Sequence, residues 1–175
     1  MIAAVRLRTL RVPFALSAVK PALDLAFAHA HLDSLLGKIP LTHTMRVALR
    51  DYDGAALALA APLAPNVNDK GCAFGGSLAS LTMLAGWGMV VLKLKSLGLD
   101  GEVYVQDSTI RYLAPVWGEL VARAILAEGE SWDEFLAALT ARGRGRLGVD
   151  CRVLSEDGKD ACTLDARFVA IRGAA

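Results

Sequence analysis

An excess of either charge is missing from this chain: 19 Lys and Arg stand against 18 Asp and Glu, a net charge of +1. That balance supplies no strong field for nucleic acid or an anionic membrane surface. Cysteine is scarce, and Cys72, Cys151 and Cys162 are odd in number and form no CxxC pair. A disulfide framework is excluded, and the pattern reads as reduced core thiols of a cytoplasmic protein. Histidine is equally scarce. His29 and His31 point to different faces of one helix with no third ligand nearby, so no metal is expected there. Aromatic residues make up only 6%. None interleave the densest basic cluster, "RGRGR" at 142–146, which argues against single-stranded nucleic acid. There is no internal repeat and no low-complexity linker, and 175 residues suffice for one domain with a real core.

What is present is apolar surface. The hydrophobic fraction is 54% and the mean hydropathy +0.41, so either a membrane segment or a heavily buried oligomer is called for. At the N-terminus, Arg6, Arg8 and Arg11 precede "VPFALSAV". Pro13 within that short run argues against a signal peptide, and residues 1–21 read as an irregular extension. From there, 22–37 reads as an amphipathic helix stopped by Gly37. From Thr44 the period becomes two, with Met45, Val47 and Leu49 alternating with polar neighbours, which predicts a half-buried strand. "RDYDGAAL" turns the chain into a second strand over 57–61, which Pro62 and Pro65 end. Strands are expected again over 103–113 and 119–126. In "SWDEFLAALTARG", Ser131 caps a short helix, Glu134 completes the capping pattern and Gly143 follows its end. Two further strands put Leu147, Val149, Cys151 and Val153, then Cys162, Leu164, Ala166 and Phe168, on their buried faces. The order predicts one α+β domain over 22–175.

Between Lys70 and Lys93 there is no charged residue, long enough to cross a bilayer, which needs ~20 apolar residues. Its composition is wrong for a span: Gly71, Gly75, Gly76, Ser77, Ser80 and Thr82 fill its first part. Amphipathic strands on both sides need a cover for their apolar faces, and a helix hydrophobic all round supplies one. At its start, "FGGS" marks the passage from loop to helix. The first backbone N–H groups there lack intrahelical partners and, with the helix dipole, favour an anion or a developing oxyanion. Two readings of Gly75 and Gly76 stand: close approach of a ligand to the backbone, or tight packing of helix on sheet.

"IPLTHTMRV", "LAAPLAPNVNDKGCAFGGSL" and "VYVQDSTIRYLAPVWGEL" resemble the thioesterase domain of the YiiD C-terminal type, over residues 32–172. The resemblance implies a hotdog fold: an antiparallel sheet wrapped around a long central apolar helix. It also implies dimers that pair their sheets edge to edge, or dimers of such dimers, with sites at the subunit interface. Substrates in that superfamily are acyl groups in thioester linkage to coenzyme A or acyl carrier protein. No cofactor, metal, nucleic acid or membrane partner is implied.

The chain departs from the superfamily's usual pattern in one respect. Many hotdog thioesterases carry His-Gly-Gly at the helix start and a carboxylate two turns later. Here the tripeptide is Phe74-Gly75-Gly76, and no acid occurs from Ser77 to Leu92. Gly75 and Gly76 carry over as oxyanion donors; the acid must come from elsewhere. Asp69, in the loop before the glycines, is the candidate base or nucleophile. Asn66 and Asn68 can orient water or the substrate carbonyl, unless the "NVND" stretch is only a turn bonding its own backbone. Phe74, Ser77 and Ser108 are candidate ligand contacts, and no histidine stands near either serine to make a triad. Asp107, placed with Val105 and Thr109 on one strand face, is paired by Arg111 or another base, or faces the site. Arg111, Lys93, Lys95 and the 142–146 arginines are candidates for substrate phosphates or an acidic carrier protein. A non-catalytic acyl-binding module is the alternative, and a hydratase fits least, since it too needs the missing histidine.

Overall fold

Ala28, Leu32 and Leu36, at four-residue spacing, form the buried stripe of the first helix, α1 (Leu25–Leu36). The computed structural model describes residues 25–172, so the extension read over 1–21 lies outside the described residues. Gly37 ends α1, as expected. The segment that follows does not become a strand at once. Pro40 opens a short helix, α2 (Pro40–Met45), at a position where its fixed φ suits the first turn. Thr42 Oγ1 donates to the Leu36 and Ile39 carbonyls at 2.6 Å each, and Arg46 closes the helix in the left-handed region at φ 55°. The alternation from Thr44 to Leu49 therefore misled. Met45 is buried from a helix, and the strand β1 (Ala48–Tyr52) begins later.

Asp53 turns the chain into β2 (Ala56–Ala61) by accepting the Ala55 and Ala56 N–H groups at 2.9 and 2.7 Å. After the loop at 62–74 come the long helix α3 (Gly75–Ser96), β3 (Gly101–Tyr112), β4 (Leu120–Leu126), α4 (Trp132–Arg142), β5 (Arg144–Leu154) and β6 (Asp160–Arg172). Ser131 Oγ accepts the Glu134 N–H, and Gly143 takes φ 68°, the cap and stop that the sequence predicts. The strands form one sheet in the order β1-β2-β4-β5-β6-β3, with every neighbouring pair antiparallel. The sheet curls around α3, which packs against β2, β3, β4, β5 and β6.

Among the described residues, only α3 has the length and composition to cross a membrane, and two thirds of its most apolar stretch is buried inside the molecule. It is the core helix. Leu81, Met89, Leu92 and Leu94 of α3 meet Leu57, Leu59, Leu120, Leu147, Leu164 and Phe168 of the sheet in one cluster. Two helix glycines let the strands come close. A Cβ on Gly86 would stand 2.8 Å from the Phe168 ring, and one on Gly88 2.8 Å from Leu57. Trp87 Nε1 donates to the Val103 carbonyl at 3.1 Å and ties α3 to the edge strand.

The register of β3 overturns one expectation. Val103 and Val105 pair with Ala170 and Phe168 on the inner face, but the ladder then slips at Gln106. Beyond that bulge, Ser108, Ile110 and Tyr112 pair with the inward-facing Ala166, Leu164 and Cys162. Asp107, Thr109 and Arg111 lie on the outer face instead. A one-residue insertion flips every later side chain, so Asp107 does not share a face with Val105.

Candidate active site

Two loops build the entrance to α3. The first runs from β2 through a 3₁₀ turn at Ala64–Asn66. Asn66 is 1% exposed. Its Nδ2 donates to the Met45 and Pro62 carbonyls at 2.9 and 2.7 Å, and its own carbonyl accepts the Phe74 N–H at 2.7 Å. Asn66 therefore fastens the helix start to the end of α2 and of β2; its Oδ1 is buried without a hydrogen-bond partner. Between Asn66 and Phe74 the chain makes a tight excursion closed by the Val67–Ala73 bridge. Asn68 Oδ1 accepts the Lys70 N–H at 2.8 Å, and Gly71, at φ 86°, brings the chain back. This is the side-chain-to-backbone turn that "NVND" offers. Asp69 stands at its tip, 78% exposed, with both carboxylate oxygens 2.9 Å from Lys70 Nζ.

The second loop follows β3. The Val116 carbonyl accepts the Ala73 N–H at 2.8 Å, which locks the two loops together. Trp117 stands against Gly71, and Tyr112 against Gly75. The Tyr112 hydroxyl donates to the Gly75 carbonyl at 3.1 Å.

Phe74 occupies the N-cap position of α3 and supplies no side-chain hydrogen bond, and the first turn carries no acid. The N–H groups of that turn therefore end without a protein cap, at the positive end of a 22-residue helix. The Phe74 ring folds over Gly76 and occupies the place a Cβ would take there. Ser77 is buried in the same turn. Around the helix start Val67, Phe74, Tyr112, Leu113 and Trp117 all leave large apolar surface exposed.

Of the residues singled out from the sequence, Asn66, Asn68, Asp69, Phe74, Gly75, Gly76 and Ser77 lie on this loop and helix turn. Ser108 faces inward on β3. Asp107 and Arg111 lie on the opposite side of the sheet: Gln106 Nε2 donates to Asp107 at 3.2 Å, and Arg111 pairs with Asp165 at 2.7 Å. Among the described residues, no three His, Cys, Asp or Glu side chains are placed to hold a metal ion.

Residues 30–172 match the family described as "Putative thioesterase (yiiD_Cterm)". The chain belongs to this YiiD C-terminal thioesterase family. Solved structures agree. A protein of unknown function from Chlorobaculum tepidum TLS is 26% identical with a TM-score of 0.81, the match covering 87% of this chain and 99% of that one. A thioesterase from Shewanella oneidensis, so described provisionally, is also 26% identical, with a TM-score of 0.73 over 83% of this chain and 98% of that one. The E. coli PaaI protein, from the phenylacetic acid degradation operon, shares the fold at 14% identity and a TM-score of 0.61, over 85% and 95% of the two chains. The sheet wrapped around α3 is thus a hotdog fold.

Within this YiiD-type domain, Tyr112 and Trp117 are the site neighbours that sequence reading missed. "QDSTIRYLAPVWGEL" held both, but an unbroken alternation from Val103 turns Tyr112 away from the helix. Only the bulge at Gln106 turns it back.

Proposed function

We propose that the chain hydrolyses an acyl thioester carried on coenzyme A or an acyl carrier protein. The observation that carries this reading is the uncapped start of α3, with Gly75 and Gly76 at its first turn and aromatic rings on both sides. Water attacks the thioester carbonyl, and the Asp69 carboxylate takes its proton. The carbonyl oxygen becomes an oxyanion held by the Gly75 and Gly76 amides. Collapse expels the thiolate, which takes the proton from Asp69, and leaves a carboxylic acid that loses its remaining proton to solvent. Donors fixed in this way stabilise charge at the moment it develops. In this proposal Asn66 acts by holding the helix start, and Phe74, Ser77 and Ser108 bound the acyl or pantetheine portion. Asp107 and Arg111, on the outer face, are left out of this site.

A second copy completes the site in this proposal. Among the described residues β3 is a free sheet edge twelve residues long, and the apolar surface around the helix start lies at its end. Pairing β3 with its symmetry mate makes a homodimer, and two such dimers can stack further. The buried free thiols Cys72, Cys151 and Cys162 suit a reducing cytoplasm. Burial pushes the Cys151 thiol up to about 12 and the Cys162 thiol to about 11, so both stay neutral and packed.

The test is a panel of acyl-coenzyme A substrates followed with a thiol-reactive dye. Asp69→Ala should lower kcat by about a hundredfold or more, the range for loss of a general base, with the circular dichroism unchanged. Equal thiol release by wild type and variant removes Asp69 from the mechanism. Two observations favour a non-catalytic acyl-binding module: Phe74 stands where the usual histidine does, and Lys70 occupies Asp69. That reading requires thermal stabilisation by acyl-coenzyme A with no thiol release for any chain length.

A further inference from the structure

The oxyanion reading rests on a peptide plane that lies between two glycines. With no Cβ on either side, rotation of the Gly75–Gly76 plane is opposed less than that of any other in the first turn. In a trans peptide the Gly75 carbonyl oxygen and the Gly76 N–H point in opposite directions. Whatever holds the oxygen therefore aims the N–H.

The helix ladder engages that oxygen from within α3, and one side chain adds a second hold from outside. The Tyr112 hydroxyl donates to the Gly75 carbonyl at 3.1 Å. The ring is braced on the same residue, with Cε1 3.4 Å from where a Cβ on Gly75 would stand. On the neighbouring residue, the Phe74 ring fills the space beside Gly76. The bond is long-range: Tyr112 ends β3 and Gly75 begins α3. It exists because the bulge at Gln106 turns the last residues of β3 toward the helix.

We infer that Tyr112 is a positioning residue for the oxyanion donors, its hydroxyl fixing the Gly75–Gly76 plane so that the Gly76 N–H points out of the helix start. A donor bonded to the carbonyl also polarises the amide and strengthens its N–H as a donor. The catalytic half of this inference rests on the thioesterase reading above; the structural half does not. Tyr112 acts through the backbone and need not touch the substrate.

Tyr112→Phe removes the hydroxyl and keeps the ring; Tyr112→Leu removes both. Two readouts are needed. The first is the ¹⁵N-glycine spectrum, in which the Gly76 amide of Tyr112→Phe should shift and exchange its hydrogen faster, with the thermal midpoint near that of wild type. The second is kinetics on an acyl-coenzyme A that wild type cleaves: kcat should fall about tenfold, less than loss of a donor itself, with KM within about twofold. The inference is overturned if Tyr112→Phe matches wild type in the Gly76 resonance and in kcat while Tyr112→Leu is impaired, since the ring then only packs. A change in KM alone also overturns it, because that marks a substrate contact. If wild type cleaves no thioester, the functional reading fails separately, and the Gly76 resonance alone decides whether Tyr112 holds the plane.

Discussion

Asp150 and Asp165 stand directly opposite each other across β5 and β6 on the outer face of the sheet. Partial burial, and then the charge of Asp165, push the Asp150 carboxyl above its ordinary 3.8, against the opposing pull of Arg152. An acid whose pKa is raised by folding keeps its proton longer in the native state than in the unfolded chain. The native state is therefore favoured least once both forms are ionised, and stability falls as pH rises from 3.8 through the higher folded value. Asp150→Asn has no such loss. Its thermal midpoint should gain on that of wild type between about pH 3 and pH 7. A gap that stays constant over that range would show that Asp150 carries no strained charge. The same scale holds the contrast between Asp69 and Tyr112. Asp69 stood out as a candidate because the helix lacks the family's usual acid and the loop before its Gly pair carries one, whereas nothing local distinguishes Tyr112 from the aromatics of any strand.

At the scale of elements, α3 shows why its glycines lie where they do. Glycine in a helix interior is worth about 1 kcal/mol less than alanine, yet Gly86 sits at its centre. The gain is close approach: the buried Phe168 ring and Cys151 Sγ, 2.8 and 3.2 Å from the place of a Cβ, leave no room for a methyl group. Gly86→Ala should therefore destabilise despite its better helix propensity, by about 1–3 kcal/mol as for other overpacked cores. Urea unfolding measures this, and a stabilised variant would mean that the sheet yields more readily than its packing suggests. The helix could be read from the uncharged stretch between Lys70 and Lys93, since burial on all sides is a property of composition. α2 could not. Three alternating apolar residues fit a strand as well as one helical turn, and the decision fell to Pro40, the Thr42 hydroxyl and the left-handed Arg46.

For the molecule as a whole, the exposed edge is the feature that needs a partner. β3 leaves Tyr104, Val105 and Tyr112 between 44% and 53% exposed along a strand whose outer edge has no neighbour among the described residues, and edges of that kind invite pairing unless covered. If the proposed dimer forms there, the native mass in solution is twice the 18.5 kDa of the chain. Val105→Glu would set charges near each other across the two-fold axis and shift the protein to monomer, with thioester hydrolysis lost and the circular dichroism retained. Light scattering on a size-exclusion column checks this. A wild-type monomer that remains active would remove the second copy from the site.

The sequence by itself determined the sheet-forming segments from β2 onward, the apolar core helix and the Gly pair at its start. Each depends on local periodicity or on a residue type that few backbones accept. Only the tertiary structure decided which side chains meet at that start. The face a strand residue takes depends on every residue before it, and one bulge at Gln106 reverses it without leaving a mark in composition. Asp107 went outward and Tyr112 inward for that single reason.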